Sequence, residues 1–140
     1  MDSKKFFYEF GRALYRVDSF YDEFAKGCNV SPALLWILYA LNDGKQHTQI
    51  EICNDWELPR TTVNTVVKDL EHKEYVRLVP IKGKRREMLI ELTDEGKSYA
   101  DGTLSGLYDQ ERAVYESLSA EEIRVPDTLE KIAERLRGKL

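Results

Sequence analysis

The apolar residues between positions 48 and 92 change their spacing, and this change restricts the folds that the chain can adopt. Up to Lys73 they recur at steps of three and four, as on one side of a helix, and from Val76 they alternate, as in a strand. Leu58-Pro59 divides the helical part, because proline disfavours a helical residue before it and suits the start of a new helix. The segment therefore predicts two short helices followed by a hairpin.

The second of these short helices has one apolar and one polar face. The first is predicted from Thr48, which with Glu51 fits a capping box, to about Trp56. The second is predicted from about Arg60 to Lys73. Its apolar positions follow the helical spacing: Val63, Val66, Val67 and Leu70. Short polar side chains and one lysine occupy the opposite face: Thr61, Asn64, Thr65 and Lys68. We expect the first face to pack and the second to remain available for a partner.

The hairpin that follows has a basic tip. Alternating apolar residues predict one strand from Val76 and another that ends at Leu92. Between the strands lies a glycine among cations: Lys82, Gly83, Lys84, Arg85 and Arg86. Two short helices followed by such a hairpin form a winged helix-turn-helix, and this arrangement suits DNA because one helix fits the major groove.

Longer helical patterns flank this region. Residues 4–24 carry an aromatic apolar stripe, and Ser31-Pro32 predicts the start of a second, buried helix that ends near Leu41. After the hairpin, Thr93-Asp94-Glu95 predicts the start of a helix of about 25 residues, which is longer than one small domain covers. A last amphipathic helix follows Ser119. The predicted fold class is mainly α with a small β-hairpin wing, a winged helix-turn-helix with long N- and C-terminal helices.

Charge is distributed unevenly along the chain. The 140 residues include 21 Lys and Arg against 25 Asp and Glu, and the resulting net charge of −4 by itself argues against nucleic-acid binding. Residues 60–86, however, contain eight Lys or Arg and three Asp or Glu, a net charge of +5 that leaves −9 for the rest. A basic segment on an otherwise acidic protein is the electrostatic pattern of a DNA-binding surface.

The basic segment supplies the candidates for DNA contact. Backbone amides and the helix dipole attract phosphate at a helix start, whereas side chains one turn further in can reach base edges. On the second short helix the candidates are Arg60, Thr61, Thr62, Asn64, Thr65 and Lys68, and on the wing they are Lys82, Lys84, Arg85 and Arg86. The alternative is that the wing is a solvated charged turn and the helix face an ordinary exposed surface.

Several other classes of function find no support in the sequence. No stretch reaches the roughly 18 uninterrupted apolar residues of a membrane span, and no signal-peptide pattern is present, so we expect a cytoplasmic protein without a membrane partner. Cys28 and Cys53 are too few for a disulfide framework and, with His47 and His72, lack metal-ligand spacing. Because no catalytic constellation or phosphate-binding glycine loop occurs, we expect neither an enzyme nor a cofactor.

The chain resembles the MarR family of bacterial transcription regulators over essentially its whole length. Four segments carry the resemblance: Ile50-Glu51-Ile52-Cys53, Leu58 to Val63, Leu70 to Lys73, and Leu89 to Gly96. The resemblance implies a sequence-specific DNA-binding regulator that binds a palindromic operator as a homodimer, as a repressor relieved by a small-molecule effector. A winged-helix module for protein–protein interaction without DNA binding is the alternative, but such a module has no need of the basic wing.

The resemblance also implies a division of labour along the single unit 1–140. Residues 32–92 are expected to form the DNA-binding region, and residues 1–28 and 93–140 to supply dimerisation helices that interlock. A ligand cleft is expected between these two regions, for a small aromatic or phenolic effector. Its candidate residues are Tyr15, Trp36, Tyr39 and His47. The alternative for each aromatic residue is an ordinary place in the core.

Three positions depart from the family pattern. Glu74 follows the second short helix where the family usually has glycine, so a left-handed helix end there is expected to be strained or replaced. Pro59 stands where a serine or threonine usually caps that helix. Lys84 stands where the family usually has an aspartate two residues before the arginine that matches Arg86. The wing is therefore expected to be more cationic than is usual.

Overall fold

The computed structural model describes residues 2–140 and has the predicted fold class, a helical protein with a small antiparallel sheet. The helices are α1 (Ser3–Gly27), α2 (Pro32–Leu41), α3 (Gln49–Trp56), α4 (Arg60–His72), α5 (Asp94–Ser117) and α6 (Val125–Arg137). The strands are β1 (His47–Thr48), β2 (Val76–Pro80) and β3 (Met88–Leu92), and a 3₁₀ turn spans Glu122–Arg124. The chain forms two compact units that divide after Leu104.

Local caps explain why the helices of the first unit begin where they do. Ser31 accepts a hydrogen bond from the Leu34 amide at 3.1 Å, with Pro32 in the first turn of α2. Thr48 accepts one from the Glu51 amide at 3.1 Å and so caps α3. Both caps confirm the sequence prediction. Pro59 precedes α4 and provides no side-chain cap.

The sheet has one strand more than the sequence predicts. Its order is β1-β3-β2, with both pairs antiparallel. The predicted hairpin is present, since Val76 pairs with Leu92 and Leu78 with Ile90. The additional strand is β1, in which Thr48 pairs with Leu89 while its side chain caps α3. Two residues are too few to show the alternation that identifies a strand.

The core of the first unit lies between α2, α3, α4 and the sheet. Fully buried side chains come from each of these elements: Leu35, Ile37, Leu38, Leu41, Ile52, Val63, Val67, Leu70 and Ile90. Leu104, near the middle of α5, is also fully buried. This packing confirms α2 as a buried centre and fixes the apolar side of α4 inward, so that its polar side faces solvent.

The end of α4 has the hydrogen bonds of a Schellman motif. The Tyr75 amide donates to the Leu70 carbonyl and the Glu74 amide to the Glu71 carbonyl, both at 2.9 Å. Glu74 has a φ of 63°, in the left-handed region where glycine is usual. The expected strained helix end is therefore present, with a glutamate in the glycine position.

The second unit, Ser105–Leu140, begins within α5 and contains a reciprocal capping box. The Glu122 amide donates to the Ser119 hydroxyl at 3.1 Å, and the Ser119 amide donates to the Glu122 carboxylate at 2.8 Å. Pro126 lies in the first turn of α6, where its missing amide hydrogen costs nothing. Large apolar side chains of this unit remain exposed: Val114, Tyr115, Ile123, Val125 and Leu136.

Within residues 2–140, no single helix is long and apolar enough to cross a membrane. The pair Ser3–Gly27 and Pro32–Leu41 meets the length and composition criteria only when taken together, and the two helices are bent by 94° at the break between them.

Candidate nucleic-acid interface

The polar side of α4 presents the predicted contact residues. Arg60, Thr61, Thr65 and Lys68 are exposed, whereas Thr62 and Asn64 are half-buried. The apolar side of the same helix is fixed in the core by Val63, Val67 and Leu70. Because the packed side cannot rotate outward without exposing these three residues, the polar side is held toward solvent.

Thr65 already uses its hydroxyl proton within α4. Its Oγ1 donates to the Thr61 carbonyl at 2.8 Å. The hydroxyl therefore offers a partner only its acceptor lone pairs, with a methyl group beside them. These groups match the exocyclic amino group of adenine or cytosine and the methyl group of thymine in the major groove.

A groove joins α4 to the wing. It has a volume of about 470 Å³, and its polar lining includes Arg60, Thr61 and Asn64 from α4 and Arg86 from the end of the wing. Its apolar lining comes from α3 and the sheet: Ile50, Cys53, Leu78, Met88 and Ile90. We call this the α4–wing groove. It brings together four of the predicted contact residues from positions up to 26 apart in the sequence.

The other predicted contact residues lie outside the lining of this groove. They are Thr62, Thr65 and Lys68 on α4 and Lys82, Lys84 and Arg85 on the wing. Two polar residues that the sequence analysis did not select do line it, Gln49 at the start of α3 and Glu87 beside Arg86. The sequence did contain a signal for Gln49. The short turn between α3 and α4 requires the two helices to pack together, so polar residues of α3 can lie beside the polar side of α4.

The cations of residues 60–86 differ in whether a carboxylate pairs with them. Lys73 pairs with Asp69 at 3.1 Å, Arg77 with Glu91 at 2.8 Å and Lys84 with Glu87 at 2.8 Å. The bond to Glu87 also raises the pKa of Lys84. Among residues 2–140, no carboxylate lies within ion-pair distance of the remaining five: Arg60, Lys68, Lys82, Arg85 and Arg86. We call these the five unpaired cations. All of them lie on α4 or the wing, so they form the positive part of this surface.

Glycine shapes the wing tip. Gly83 has a φ of 85°, in the left-handed region that other residues rarely adopt. It lies in the turn between β2 and β3, where the Lys84 amide donates to the Ile81 carbonyl at 3.1 Å. The turn leaves Lys82, Lys84 and Arg85 exposed at the tip.

Four aromatic residues that do not line this groove form a cluster. Trp36 lies at ring-centroid distances of 4.7 Å from Tyr21, 5.6 Å from Tyr39 and 5.3 Å from Trp56. We call these four residues the Trp36 cluster. It contains two of the predicted effector residues, Trp36 and Tyr39, and adds one residue each from α1 and α3. Tyr15 is not part of the cluster, and its side chain is 77% exposed.

His47, the remaining effector candidate, is engaged by carboxylates. Its Nε2 lies 2.9 Å from both carboxylate oxygens of Asp43, and its Nδ1 lies 3.6 Å from the Glu51 carboxylate. Desolvation alone would raise the pKa of Asp43, but the hydrogen bonds from His47 and from the Lys45 amide lower it. Both ring nitrogens of His47 thus have a partner before any ligand binds.

Comparison with sequences of known proteins identifies the winged-helix segment. Residues 29–87 match the model of the MarR family. The helix-turn-helix transcriptional repressor NicR of Pseudomonas putida is 31% identical over 67 residues, which cover 48% of this chain and 42% of that protein. The match therefore spans less than half the length of this relative.

Solved structures match nearly the whole chain. A MarR family regulator from Neisseria meningitidis has a TM-score of 0.84 at 23% identity, with 99% of this chain and 96% of that chain covered. MepR of S. aureus, in its DNA-binding conformation, has a TM-score of 0.76 at 20% identity, with 94% and 98% covered. BpsR of Bordetella bronchiseptica, whose DNA binding is regulated by 6-hydroxynicotinic acid, has a TM-score of 0.68 at 17% identity, with 89% and 98% covered.

At these identities the structural likeness shows a shared fold. Over residues 29–87, which are less than half of this chain, the sequence is similar to the MarR family, and the chain as a whole has the fold of a solved MarR family regulator.

Proposed function

We propose that the chain is a sequence-specific DNA-binding transcriptional regulator, a repressor that binds a palindromic operator as a homodimer and is relieved by a small-molecule effector. The observation that carries this proposal is the α4–wing groove, because it joins Arg60, Thr61 and Asn64 to Arg86 on one exposed surface. Arginine and asparagine are the side chains best suited to bidentate contacts with guanine and adenine. The similarity of residues 29–87 to the MarR family supports the same function.

The five unpaired cations provide the affinity in this proposal. Each cation that neutralises a phosphate releases counterions, so the binding constant falls with salt with a slope of about −0.9 per contact. If all five bind phosphates in both protomers, the slope of log K against log salt is about −9. The slope is less steep if some of these residues contact bases instead of phosphates.

A matched pair of substitutions tests the role of the unpaired cations. We expect Arg86→Ala to weaken binding to all duplexes and to reduce the salt slope. Arg77→Ala changes the net charge equally, but Arg77 is paired with Glu91 at 2.8 Å, so we expect a smaller effect. Fluorescence anisotropy with labelled duplexes at several salt concentrations measures both. Equal losses of DNA affinity in the two variants would mean that binding depends on the net charge of the protein and not on which cations are unpaired.

Asn64 tests sequence specificity. Because it is half-buried in the α4–wing groove, we expect it to contact base edges and not phosphates. Selection of bound duplexes from a random pool should give a palindrome for the wild type and a changed preference at one position per half-site for Asn64→Ala. A uniform loss of affinity across sequences would contradict this role, and recovery of no preferred sequence by the wild type would contradict the proposed function.

Exposed apolar residues support the homodimer and the division into residues 32–92 for DNA binding and residues 1–28 and 93–140 for dimerisation. Phe6, Phe7, Leu14, Val17 and Phe20 of α1 are each at least 40% exposed in the single chain. A second copy that covers this surface removes it from water. We expect sedimentation equilibrium to show a dimer and Val17→Glu to shift it toward monomer. A two-fold dimer binds half-sites whose centres lie about 10 base pairs apart.

The Trp36 cluster supports a site for a small aromatic or phenolic effector, with Tyr15 and His47 as further candidate residues. The chain has only two tryptophans, and both are in this cluster, so intrinsic tryptophan fluorescence reports on it alone. We expect 6-hydroxynicotinic acid or a related aromatic acid to quench this fluorescence and to release DNA. Trp36→Phe should weaken the release without changing DNA affinity in the absence of ligand. Ligands that release DNA without changing the fluorescence would place the effector site elsewhere.

A further inference from the structure

We propose that Thr93 is a positioning residue that orients the recognition helix α4 and the wing relative to α5, and thereby determines DNA sequence discrimination. This inference rests on the proposed function. It concerns a group of contacts formed by Glu74, Tyr75, Thr93, Gly96 and Tyr99, which we call the Thr93 joint. These contacts lie in the first unit of the chain, where α4 ends and α5 begins.

Thr93 bonds to the backbone at the end of α4 through two groups. Its hydroxyl donates to the Glu74 carbonyl at 2.7 Å, and its amide donates to the Tyr75 carbonyl at 3.0 Å. Glu74 and Tyr75 are the two residues that complete the Schellman motif of α4. Thr93 therefore holds the chain at the point where it leaves the recognition helix.

The same hydroxyl caps α5. Thr93 Oγ1 accepts a hydrogen bond from the Gly96 amide at 3.0 Å, in the usual geometry of a helix N-cap. One oxygen atom thus receives a bond from α5 and donates a bond to the end of α4. Because Thr93 also follows Leu92, which pairs with Val76 at the base of the wing, the wing shares this attachment.

Two further contacts restrict movement at the joint. A Cβ added to Gly96 would overlap the Tyr75 carbonyl, so the backbones of α5 and the α4–β2 turn are in direct contact. The rings of Tyr75 and Tyr99 stack at a centroid distance of 4.5 Å with an interplanar angle of 10°. These contacts fix the distance between the two backbones. The two hydrogen bonds of the Thr93 hydroxyl fix the orientation of α4 relative to α5.

The orientation of α4 depends on these hydrogen bonds because its other contacts with the core are apolar. Val63, Val67 and Leu70 hold the helix in the core by packing, which is much less sensitive to small rotations than a hydrogen bond is. Side chains at the far end of α4 move most when the helix rotates about its C-terminal end. Arg60 and Asn64 are at that far end and line the α4–wing groove, so a small change at Thr93 displaces the groups that contact bases.

Three substitutions at Thr93 separate positioning from capping. Thr93→Ser keeps both the donor and the acceptor. Thr93→Asp keeps an acceptor that caps α5 as well as threonine does but, when ionised, has no proton to donate to the Glu74 carbonyl. Thr93→Val lacks both. If Thr93 only stabilised the fold, the Asp variant would behave as the wild type does. If it positions α4, the Asp and Val variants both lose sequence discrimination, because neither donates a proton to the Glu74 carbonyl.

The experiment measures the ratio of specific to non-specific DNA affinity for the four proteins, with a selected palindrome and a scrambled duplex at one salt concentration. Thermal unfolding at one protein concentration is measured in parallel, and affinities are corrected for the active fraction. We expect Thr93→Ser to match the wild type, and Thr93→Asp and Thr93→Val to lose about tenfold in the ratio, the cost of a mismatched base pair. Non-specific affinity and its salt slope should stay the same in the Ser and Val variants.

Two results would overturn the inference. One is a ratio for Thr93→Asp that equals the wild-type ratio, because the donor would then have no effect on discrimination. The other is a loss in the ratio only for Thr93→Val and in proportion to its loss of stability. If Thr93→Val does not fold, Thr93→Asp alone decides between these results. A wild type that binds both duplexes equally contradicts the proposed function and removes the basis of this inference with it.

Discussion

Gly96 gives the sharpest test of the geometry at the start of α5. A Cβ at this position would overlap the Tyr75 carbonyl oxygen and lie 2.7 Å from the carbonyl carbon and 3.0 Å from Tyr75 Cα. These are backbone atoms, so no side-chain rotation relieves the overlap. The backbone of α5 must move away from the α4–β2 turn, which lengthens the 3.0 Å bond from the Thr93 amide to the Tyr75 carbonyl.

The expected cost of Gly96→Ala follows from these contacts. Overpacking against a structure that cannot yield costs about 1–3 kcal/mol, and loss of a backbone hydrogen bond adds about 1 kcal/mol. We therefore expect the free energy of unfolding to fall by about 3 kcal/mol. For a chain of this size, that corresponds to a decrease in Tm of roughly 10 °C.

Gly102 provides a matched control in the same helix. An added Cβ there meets no atom within 4 Å. Because alanine has a higher helix propensity than glycine, we expect Gly102→Ala to stabilise the protein by about 0.5–1 kcal/mol. Urea unfolding followed by circular dichroism, at one protein concentration, measures both variants. Stabilities of Gly96→Ala and wild type that agree within about 0.5 kcal/mol would refute the close contact with Tyr75.

Three further predictions concern glutamates. Glu74→Gly should raise the free energy of unfolding by about 0.5–1 kcal/mol, because glycine adopts the φ of 63° without strain but its greater freedom in the unfolded chain offsets part of the gain, and urea unfolding measures the change. Glu87→Gln should free Lys84 to bind phosphate and steepen the salt slope of DNA binding by about 0.9 for each protomer, whereas an unchanged slope would show that Lys84 does not reach DNA. The Glu122 pKa is lowered by the hydrogen bonds it makes with Ser119, so its stabilising effect is complete above the ordinary value of 4.5 and is lost as pH falls through the lower folded value. Glu122→Gln should remove this part of the pH dependence of unfolding.

The sequence predicted most of the fold because many of its determinants are local. The caps at Ser31, Thr48 and Ser119 each join residues three positions apart, so their chemistry is visible in a short window of sequence. The change of apolar spacing after Lys73 likewise identified the hairpin without knowledge of the core. The strand β1 was not predicted, because its partners Leu89 and Ile90 lie more than 40 positions further along the chain.

The candidate site was predicted less completely, for a related reason. Composition showed which segment is basic, but which cations are paired depends on tertiary structure. Arg77 meets Glu91 only because β2 and β3 pair in this register. The aromatic residues behave in the same way. Tyr15 and Tyr21 lie on the same helix, and only Tyr15 was predicted from the sequence as an effector residue, yet it is Tyr21 whose ring contacts Trp36.

Glu74 shows how a departure from the family pattern is tolerated where several contacts meet. A glutamate in the left-handed region costs about 1–2 kcal/mol relative to an ordinary conformation. The position is nevertheless determined by its surroundings, since the Glu74 amide bonds to the Glu71 carbonyl and the Glu74 carbonyl accepts the Thr93 hydroxyl. Strained residues persist where neighbouring contacts leave no alternative. The strain at Glu74 therefore argues that the end of α4 is held firmly in one place, as a helix must be if its other end is to discriminate between base pairs.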